Sequence, residues 1–432
     1  MLTNSQCFHR VVTAGMLMMA ASSISLAAHS AQLIFEETFD NLPDWHSGMP
    51  ENGLNPYGFH DGSTFGDDRK ADFVQRVTRG HTLPGQFFSA RQQGQYYSPR
   101  NGYEDHHEII EILAANSDKA LGKQGKSAAF FREPTQDNNH AWITDGILSV
   151  YLPNAVAGKN VFDSHTHQGL NEVYFEFWIT FDDNTTVYPP HEDAGRGADI
   201  SKIARIFSFD ERGNEYKGFP GGDKGPGVIW DWMTDYYGAR NVVAVRGGPH
   251  GHSYSFGYGG LGMPHPNGSL NYLDMIEGMG PNGTTEPQLN LREGGIIDTS
   301  PVHHEQVHGS EDQWVRMGFY VKMNSAMDVA DGVLIQWMNG RRLLTMNNIP
   351  YLRSERNEGE DLIVADGMVK WNMVAIGGND YFHSWPKESM REEWYAIDDL
   401  RIYNGLPDHA DTDIDHYFYP PGSPSQFKVD KP

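Results

Sequence analysis

From Val173 to Phe181 apolar and polar positions alternate: Val173, Phe175, Phe177, Ile179 and Phe181 form one set, and Tyr174, Glu176, Trp178 and Thr180 the other. A period of two is that of a β-strand, so one face suits a core and the other carries aromatic and polar groups. A charged segment with Tyr188, Pro189 and Pro190 follows, and Lys202 to Phe209 then resumes as an apolar run holding Lys202 and Arg205. The two runs read as neighbouring strands joined by a turn. Basic groups beside an aromatic face fit a groove for an anionic or polyhydroxylated ligand; the alternative is a solvated outer sheet face.

The same pattern recurs along the chain. Leu33 to Phe39, Glu108 to Leu113, Ser127 to Arg132, Gly146 to Leu152, Val228 to Met233 and Asn241 to Arg246 are short apolar or alternating runs bounded by turn residues. A single helix over Glu108 to Asn116 is the alternative there, because Ile109, Ile110, Ile112 and Leu113 also suit a helical face. In Trp314 to Met323 the residues Val315, Met317, Phe319, Val321 and Met323 point inward, and Trp314, Arg316, Tyr320 and Lys322 outward. Val333 to Met338 and Arg341 to Met346 flank Asn339-Gly340, the positive-φ pair of a two-residue hairpin turn. Met368 to Ile376 and Trp394 to Tyr403 complete the strands.

Residues 46–102 and 264–312 are loop-rich insertions. The aromatics Phe87, Phe88, Tyr96 and Tyr97 predict ordered packing in the first; the second reads as a lid or rim without a core of its own. No long helix and no repeat emerges. The prediction is an all-β chain: one large β-sandwich over 31–405 with long decorating loops, then an acidic, Pro-rich tail over 406–432.

Residues 1–30 form a targeting segment: Arg10, the small and apolar run Val11 to Ala28, and a small-x-small cleavage site at Ala28-His29-Ser30. Thr13, Gly15, Ser22, Ser23 and Ser25 make it weakly hydrophobic for an uncleaved anchor. A secreted or periplasmic protein is expected, with no membrane span in the mature form. The single cysteine, Cys7, falls within the leader, so the mature chain would lack disulfides, Fe–S clusters and a cysteine nucleophile. A net charge of −24 argues against nucleic acid, which is bound by neutralising phosphates. It also counts against a polyanionic ligand unless basic residues cluster locally. Aromatics at 12% and 47 glycines fit short strands and tight turns.

Certain motifs carry a resemblance. Phe35-Glu36-Glu37-Thr38-Phe39-Asp40 and Ala396-Ile397-Asp398-Asp399-Leu400-Arg401-Ile402-Tyr403 look like the first and last strands of concanavalin A-like jelly rolls. Between them stand Trp314-x-Arg316 leading into Tyr320-Val321-Lys322-Met323-Asn324, then Asp331-Gly332-Val333, Trp337-Met338-Asn339-Gly340, Gly377-Gly378 and Trp385-Pro386-Lys387. That order is similar to secreted polysaccharide lyases of the alginate and glucuronan type, family 14 and its heparin-lyase-like relatives. It covers roughly Leu170 to Tyr403 together with the first strand. The resemblance implies a concanavalin A-like jelly-roll β-sandwich that cleaves a uronate-containing polysaccharide by β-elimination.

Such chemistry needs donors that neutralise the C5 carboxylate, a base for the C5 proton and an acid for the glycosidic oxygen. The resemblance places Lys202 in the first role, Arg246 as a bidentate carboxylate partner, and Tyr254 or Tyr258 as base and acid. Around Lys202 the family's Gly-Lys-Leu-Pro-Gly run is replaced by Ser201-Lys202-Ile203-Ala204-Arg205. His252 in the Gly-rich loop is a candidate proton shuttle, a solvated histidine being the plainer alternative. Tyr174, Glu176, Trp178, Arg205 and Trp385 are candidate substrate contacts, though some aromatics must be core. Arg246 could instead end a strand and pair with Asp231 or Asp235. His303, His304, Glu305 and His308 fit no zinc spacing and read as a polar rim.

No cofactor is required. Asp40, Asp398 and Asp399 could hold a structural Ca²⁺ if the terminal strands pair, plain turn carboxylates being the simpler account. No Gly-x-Ser-x-Gly elbow, His-Glu-x-x-His, Walker loop or dinucleotide fingerprint is present, nor is the Glu-x-Asp-x-x-Glu string of retaining glycosidases of this fold. A polysaccharide is the expected partner and a monomer the expected state. A non-catalytic carbohydrate-binding protein and a glycoside hydrolase are the alternative functions.

Overall fold

The structure, a computed structural model, describes residues 31–47, 83–94, 110–132, 142–157, 169–182, 199–208, 226–235, 238–246, 272–274, 295–296, 313–349, 351–352, 370–381 and 393–412. In chain order the strands begin β1 (Leu33–Glu37), β2 (Trp45–His46), β3 (Ser89–Gly94), β4 (Ile110–Ile112), β5 (Ala128–Arg132), β6 (Trp142–Tyr151), β7 (Glu172–Phe181), β8 (Asp199–Phe207) and β9 (Gly227–Asp235). They continue as β10 (Gly238–Arg246), β11 (Tyr272–Asp274), β12 (Gly295–Ile296), β13 (Val315–Lys322), β14 (Gly332–Met338), β15 (Arg341–Ile349), β16 (Met373–Tyr381) and β17 (Glu393–Tyr403). A short helix, α1 (Leu152–Ala157), follows β6.

The strands make two sheets. The larger runs β12-β15-β14-β13-β7-β17-β5-β4-β2, with β1 also paired to β17, and the smaller runs β11-β10-β9-β8-β16-β6-β3. Every described strand pairing is antiparallel.

The inner faces share one core. Val173, Phe175, Phe177, Ile179 and Phe181 of β7 join Val315, Met317, Phe319 and Val321 of β13 and Ile206, Val228, Trp230 and Val374 of the smaller sheet. The Trp230 ring stands 5.9 Å from Phe177 and 5.7 Å from Phe319, which ties the layers together. Each such side chain contributes about 1.5–3 kcal/mol by leaving water. The molecule is therefore an all-β jelly-roll sandwich whose core is set by the period-two pattern of its strands.

Several expectations are met. Val315 to Met323 divide inward and outward as the alternation predicts. Asn339 and Gly340 have φ of 52° and 82°, both left-handed, between β14 and β15. Phe87 and Phe88 are buried in packed clusters. Ile110–Ile112 is a strand rather than part of a helix, and the 3₁₀ turn Ala114–Lys119 follows it.

Two expectations need correction. β7 and β8 are not neighbours in one sheet: β7 lies between β13 and β17 in the larger, β8 between β9 and β16 in the smaller. The chain thus changes layer between β7 and β8, and a side-chain period says which face a residue takes, not which sheet its strand joins. The 264–312 insertion is more than a rim, since it supplies β11 to one edge of the smaller sheet and β12 to one edge of the larger. The targeting segment lies outside the described residues. Among the described residues no helix is long and apolar enough to cross a membrane.

Candidate functional site

The outer face of the smaller sheet is shaped by a break in register on β8. Lys202 pairs with Asp231 of β9, while Ala204 pairs with Trp230, so β8 carries one extra residue there. Ile203 and Ala204 both enter the interlayer core. In a regular strand residues three apart point to opposite faces; the extra residue restores the parity, and Lys202 and Arg205 share the outer face. Both are buried, Lys202 with 6% and Arg205 with 1% of its surface exposed.

The neighbouring strand has an irregularity of its own. On β16, Ile376 pairs with Ala204 and the next pairing is Asp380 with Ser201. Gly377 and Gly378 occupy the gap. Gly377 has φ of +79°, and a Cβ there would lie 2.1 Å from the Gly146 carbonyl oxygen. A Cβ on Gly378 would lie 1.9 Å from the Lys202 carbonyl oxygen and 2.1 Å from Arg205 Nη2. Only glycine leaves the guanidinium its place. Beside it the outer face is closed by Phe88, Ile147, Tyr151, Phe207, Met373 and Ala375.

Arg246 ends β10 opposite Gly227, which in turn pairs with Phe207. Asp231 pairs with Val242 and Asp235 with Gly238, so neither aspartate of β9 is its register partner. From strand spacing and rise, its backbone stands about 10 Å across the sheet and about 13 Å along it from Lys202, but only about 7 Å along from the Arg205 row. Tyr254, Tyr258, His252 and Trp385, with His303, His304, Glu305 and His308, lie outside the described residues.

Tyr174, Glu176 and Trp178 do not meet Lys202. They belong to β7, on the outer face of the larger sheet, and the sandwich separates that face from the outer face of the smaller sheet. All three are buried. Trp178 packs with Phe131, Trp314 and Trp394, and Tyr174 with Tyr320, Ile335, Trp337 and Ala410. Trp230 of β9 is likewise a core residue, at 1% exposure.

The cover over Tyr174 and Glu176 is the segment after β17, with its 3₁₀ turn Asp408–Asp411. The Tyr174 hydroxyl donates to Glu176 Oε2 at 2.8 Å, His409 Nε2 lies 3.0 Å from Glu176 Oε1, and Arg316 Nε is 3.8 Å from Glu176 Oε2. Burial, then the Glu176 carboxylate, pushes the Tyr174 phenol far above its ordinary range, so it stays a donor. Arg342 grips Asp411 with Nε at 2.6 Å and Nη2 at 2.5 Å, and the Trp337 indole donates to the same carboxylate at 2.9 Å. Hydrogen bonding from Arg342 holds the Asp411 carboxyl below its usual range. The sequence gives no local sign of this strap, because its partners are far upstream in the chain.

The terminal strands do pair, with Glu36 opposite Arg401. Even so, each of Asp40, Asp398 and Asp399 has other partners. Asp398 accepts the amides of Leu121 at 3.0 Å and Asp399 at 2.8 Å, Asp40 accepts the Lys126 amide at 2.9 Å, and Asp399 lies 3.5 Å from Arg401. Among the described residues no three His, Cys, Asp or Glu side chains gather as metal ligands. The carboxylates are spent on backbone amides and an arginine.

Burial pushes the Asp398 carboxyl well above its ordinary value, with Asp399 and Asp40 adding to the shift and the two amides opposing it. A raised folded value means the native state binds the extra proton, so stability falls as pH rises from about 3.9 through the raised value. Each Asp398 oxygen accepts one of the two amides and asparagine keeps a single acceptor, so Asp398→Asn loses a hydrogen bond at every pH, and its melting temperature relative to the wild type is expected to rise between about pH 4 and about pH 7. Thermal denaturation of both proteins across that range checks it.

No protein-family model and no curated protein matches the chain. Among solved structures it is similar to an alginate lyase variant in complex with alginate trisaccharide, at 10% identity and a TM-score of 0.37, covering 86% of this chain and 97% of that one. It is similar to an endo-β-1,4-glucuronan lyase from the fungus Trichoderma reesei, at 11% identity and a TM-score of 0.33, covering 69% and 88%. It is also similar to domain 4 of an extracellular arabinanase from Geobacillus stearothermophilus in complex with arabinotriose, at 10% identity and a TM-score of 0.31, covering 89% and 98%.

Proposed function

We propose that this protein is an exported polysaccharide lyase that cleaves a uronate-containing glycan by β-elimination on the outer face of the smaller sheet. One observation carries the reading: Lys202 and Arg205, three residues apart, are buried on one sheet face, where a regular strand would have split them. Two basic side chains gathered on one face suit an anionic ligand, because ammonium and guanidinium groups form charge-assisted hydrogen bonds to carboxylates. A uronate carboxylate is such a ligand, and its neutralisation acidifies the C5 proton by stabilising the enolate that forms when the proton leaves. This local charge answers the objection raised by the net charge of −24. The motif order from Trp314 to Tyr403 gives independent support.

In this reading Lys202 faces the carboxylate at the reacting sugar, Arg246, two strands across and four residues along, meets a carboxylate further along the glycan, and Tyr254 or Tyr258 takes the C5 proton and protonates the leaving oxygen. His252 serves as a proton shuttle beside them. Neither product retains an added water, so one chain end becomes an unsaturated uronate that absorbs in the ultraviolet. The test is ultraviolet absorbance during incubation with alginate, glucuronan, ulvan and glycosaminoglycans, with neutral glucans as controls. Absorbance on a polyuronate alone is the expected result. New reducing ends without absorbance would mean hydrolysis, and retention of a glycan without chain shortening would mean a binding protein; either outcome ends the lyase proposal.

A further inference from the structure

We propose that Arg205 is the positioning residue for Lys202: its guanidinium, seated over Gly378, holds the β8 bulge that turns Lys202 onto the outer face of the smaller sheet. The proposal rests on the lyase reading for its catalytic consequence, but not for its structural content.

The bulge is the weak point of β8. An extra residue leaves the regular ladder, and the backbone groups around it need donors from elsewhere when they are buried. Lys202, Ile203, Ala204 and Arg205 are all buried. Arg205 Nη2 and the Lys202 carbonyl oxygen are 2.1 Å and 1.9 Å from the point where a Cβ of residue 378 would sit. They therefore lie within about 4 Å of each other, in reach of the planar fork of donors that arginine presents. At 1% exposure the guanidinium has no room to swing away. The irregular stretch of β16 between Ile376 and Asp380, with glycine at 377 and 378, provides the seat. Two features of distant sequence, a charged residue on β8 and a glycine pair on β16, thus serve one geometry.

The consequence is directional. With the bulge held, Lys202 stands in the Asp231 row of the outer face; if β8 became regular, Lys202 or Arg205 would turn into the apolar core.

Arg205→Met and Gly378→Ala test this, the first removing the guanidinium and the second filling its seat. The readout is acylation of lysine amines by a water-soluble reagent, followed by peptide mass spectrometry. Exposed Lys322 and part-buried Lys126 are internal references within the same molecule. Both variants are expected to change the labelling rate of Lys202 relative to Lys322 while Lys126 keeps its wild-type rate. On any polyuronate that the wild type cleaves, kcat is expected to fall about 10²-fold with KM little changed, as for a misplaced catalytic group.

An unchanged Lys202 rate in both variants overturns the proposal. So does equal acceleration at Lys126 and Lys202, which would assign Arg205 to general packing. If the wild type yields no unsaturated product, the lyase reading fails, while the labelling ratio still decides the role of Arg205.

Discussion

Lys202→Ala is expected to lower turnover on a polyuronate by about 10²–10³-fold, the loss seen when one donor to a developing anion is removed. The side chain sits on the outer face, outside the apolar contacts between the layers, so its loss should spare the sandwich. Its burial at 6% gives its ammonium group more weight than a solvated one, since charge interacts more strongly where water is scarce. Lys202→Met is the companion variant: it keeps the apolar stem and removes only the charge. Both should lose turnover equally per folded molecule, the methionine variant having the higher melting temperature because it keeps the buried stem. Initial rates of ultraviolet absorbance, taken alongside thermal denaturation, check this. Wild-type turnover in the methionine variant would remove Lys202 from the chemistry.

Glu176→Ala is expected to destabilise the fold by about 3–5 kcal/mol without altering turnover per folded molecule. The carboxylate is 2% exposed and faces three partners: the Tyr174 hydroxyl, His409 and Arg316. Its removal leaves a buried phenol without its acceptor and deprives Arg316 of a counter-charge, each a cost beyond the contact itself. It also loosens the strap, because His409 joins that segment to the sheet. His409→Ala should cost far less, about 0.5–1 kcal/mol, since its side chain is 38% exposed and Glu176 keeps Tyr174. Urea unfolding of both variants measures the difference. A fall in turnover on Glu176→Ala at full folding would contradict the assignment of chemistry to the opposite sheet.

The extent to which sequence revealed this molecule follows from the range of each signal. Val173 to Phe181 and Val315 to Met323 were legible because burial of one sheet face writes a period of two directly into neighbouring residues. The Asn339-Gly340 turn was legible because its backbone demands residues that tolerate positive φ. The partition of β7 and β8 between layers was not, since pairing is decided by strands more than a hundred residues away, such as β13 and β16. Glu176 looked like a groove residue for the same reason: its His409 partner lies 233 positions downstream. The β8 bulge had a subtler trace. Lys202 and Arg205 three residues apart cannot share a face of a regular strand, so a common role for them already required an irregularity between them.

The position of β17 has a consequence for the order of events during synthesis. It is the last of the described strands in chain order, yet it lies between β7 and β5 and also carries β1. Until Glu393–Tyr403 has emerged, the larger layer exists only as separate halves with an unfilled slot, and the first strand has nothing to hold it. Such non-local closure delays folding until that strand is available, so a nascent chain stays pliable until Glu393–Tyr403 has left the ribosome.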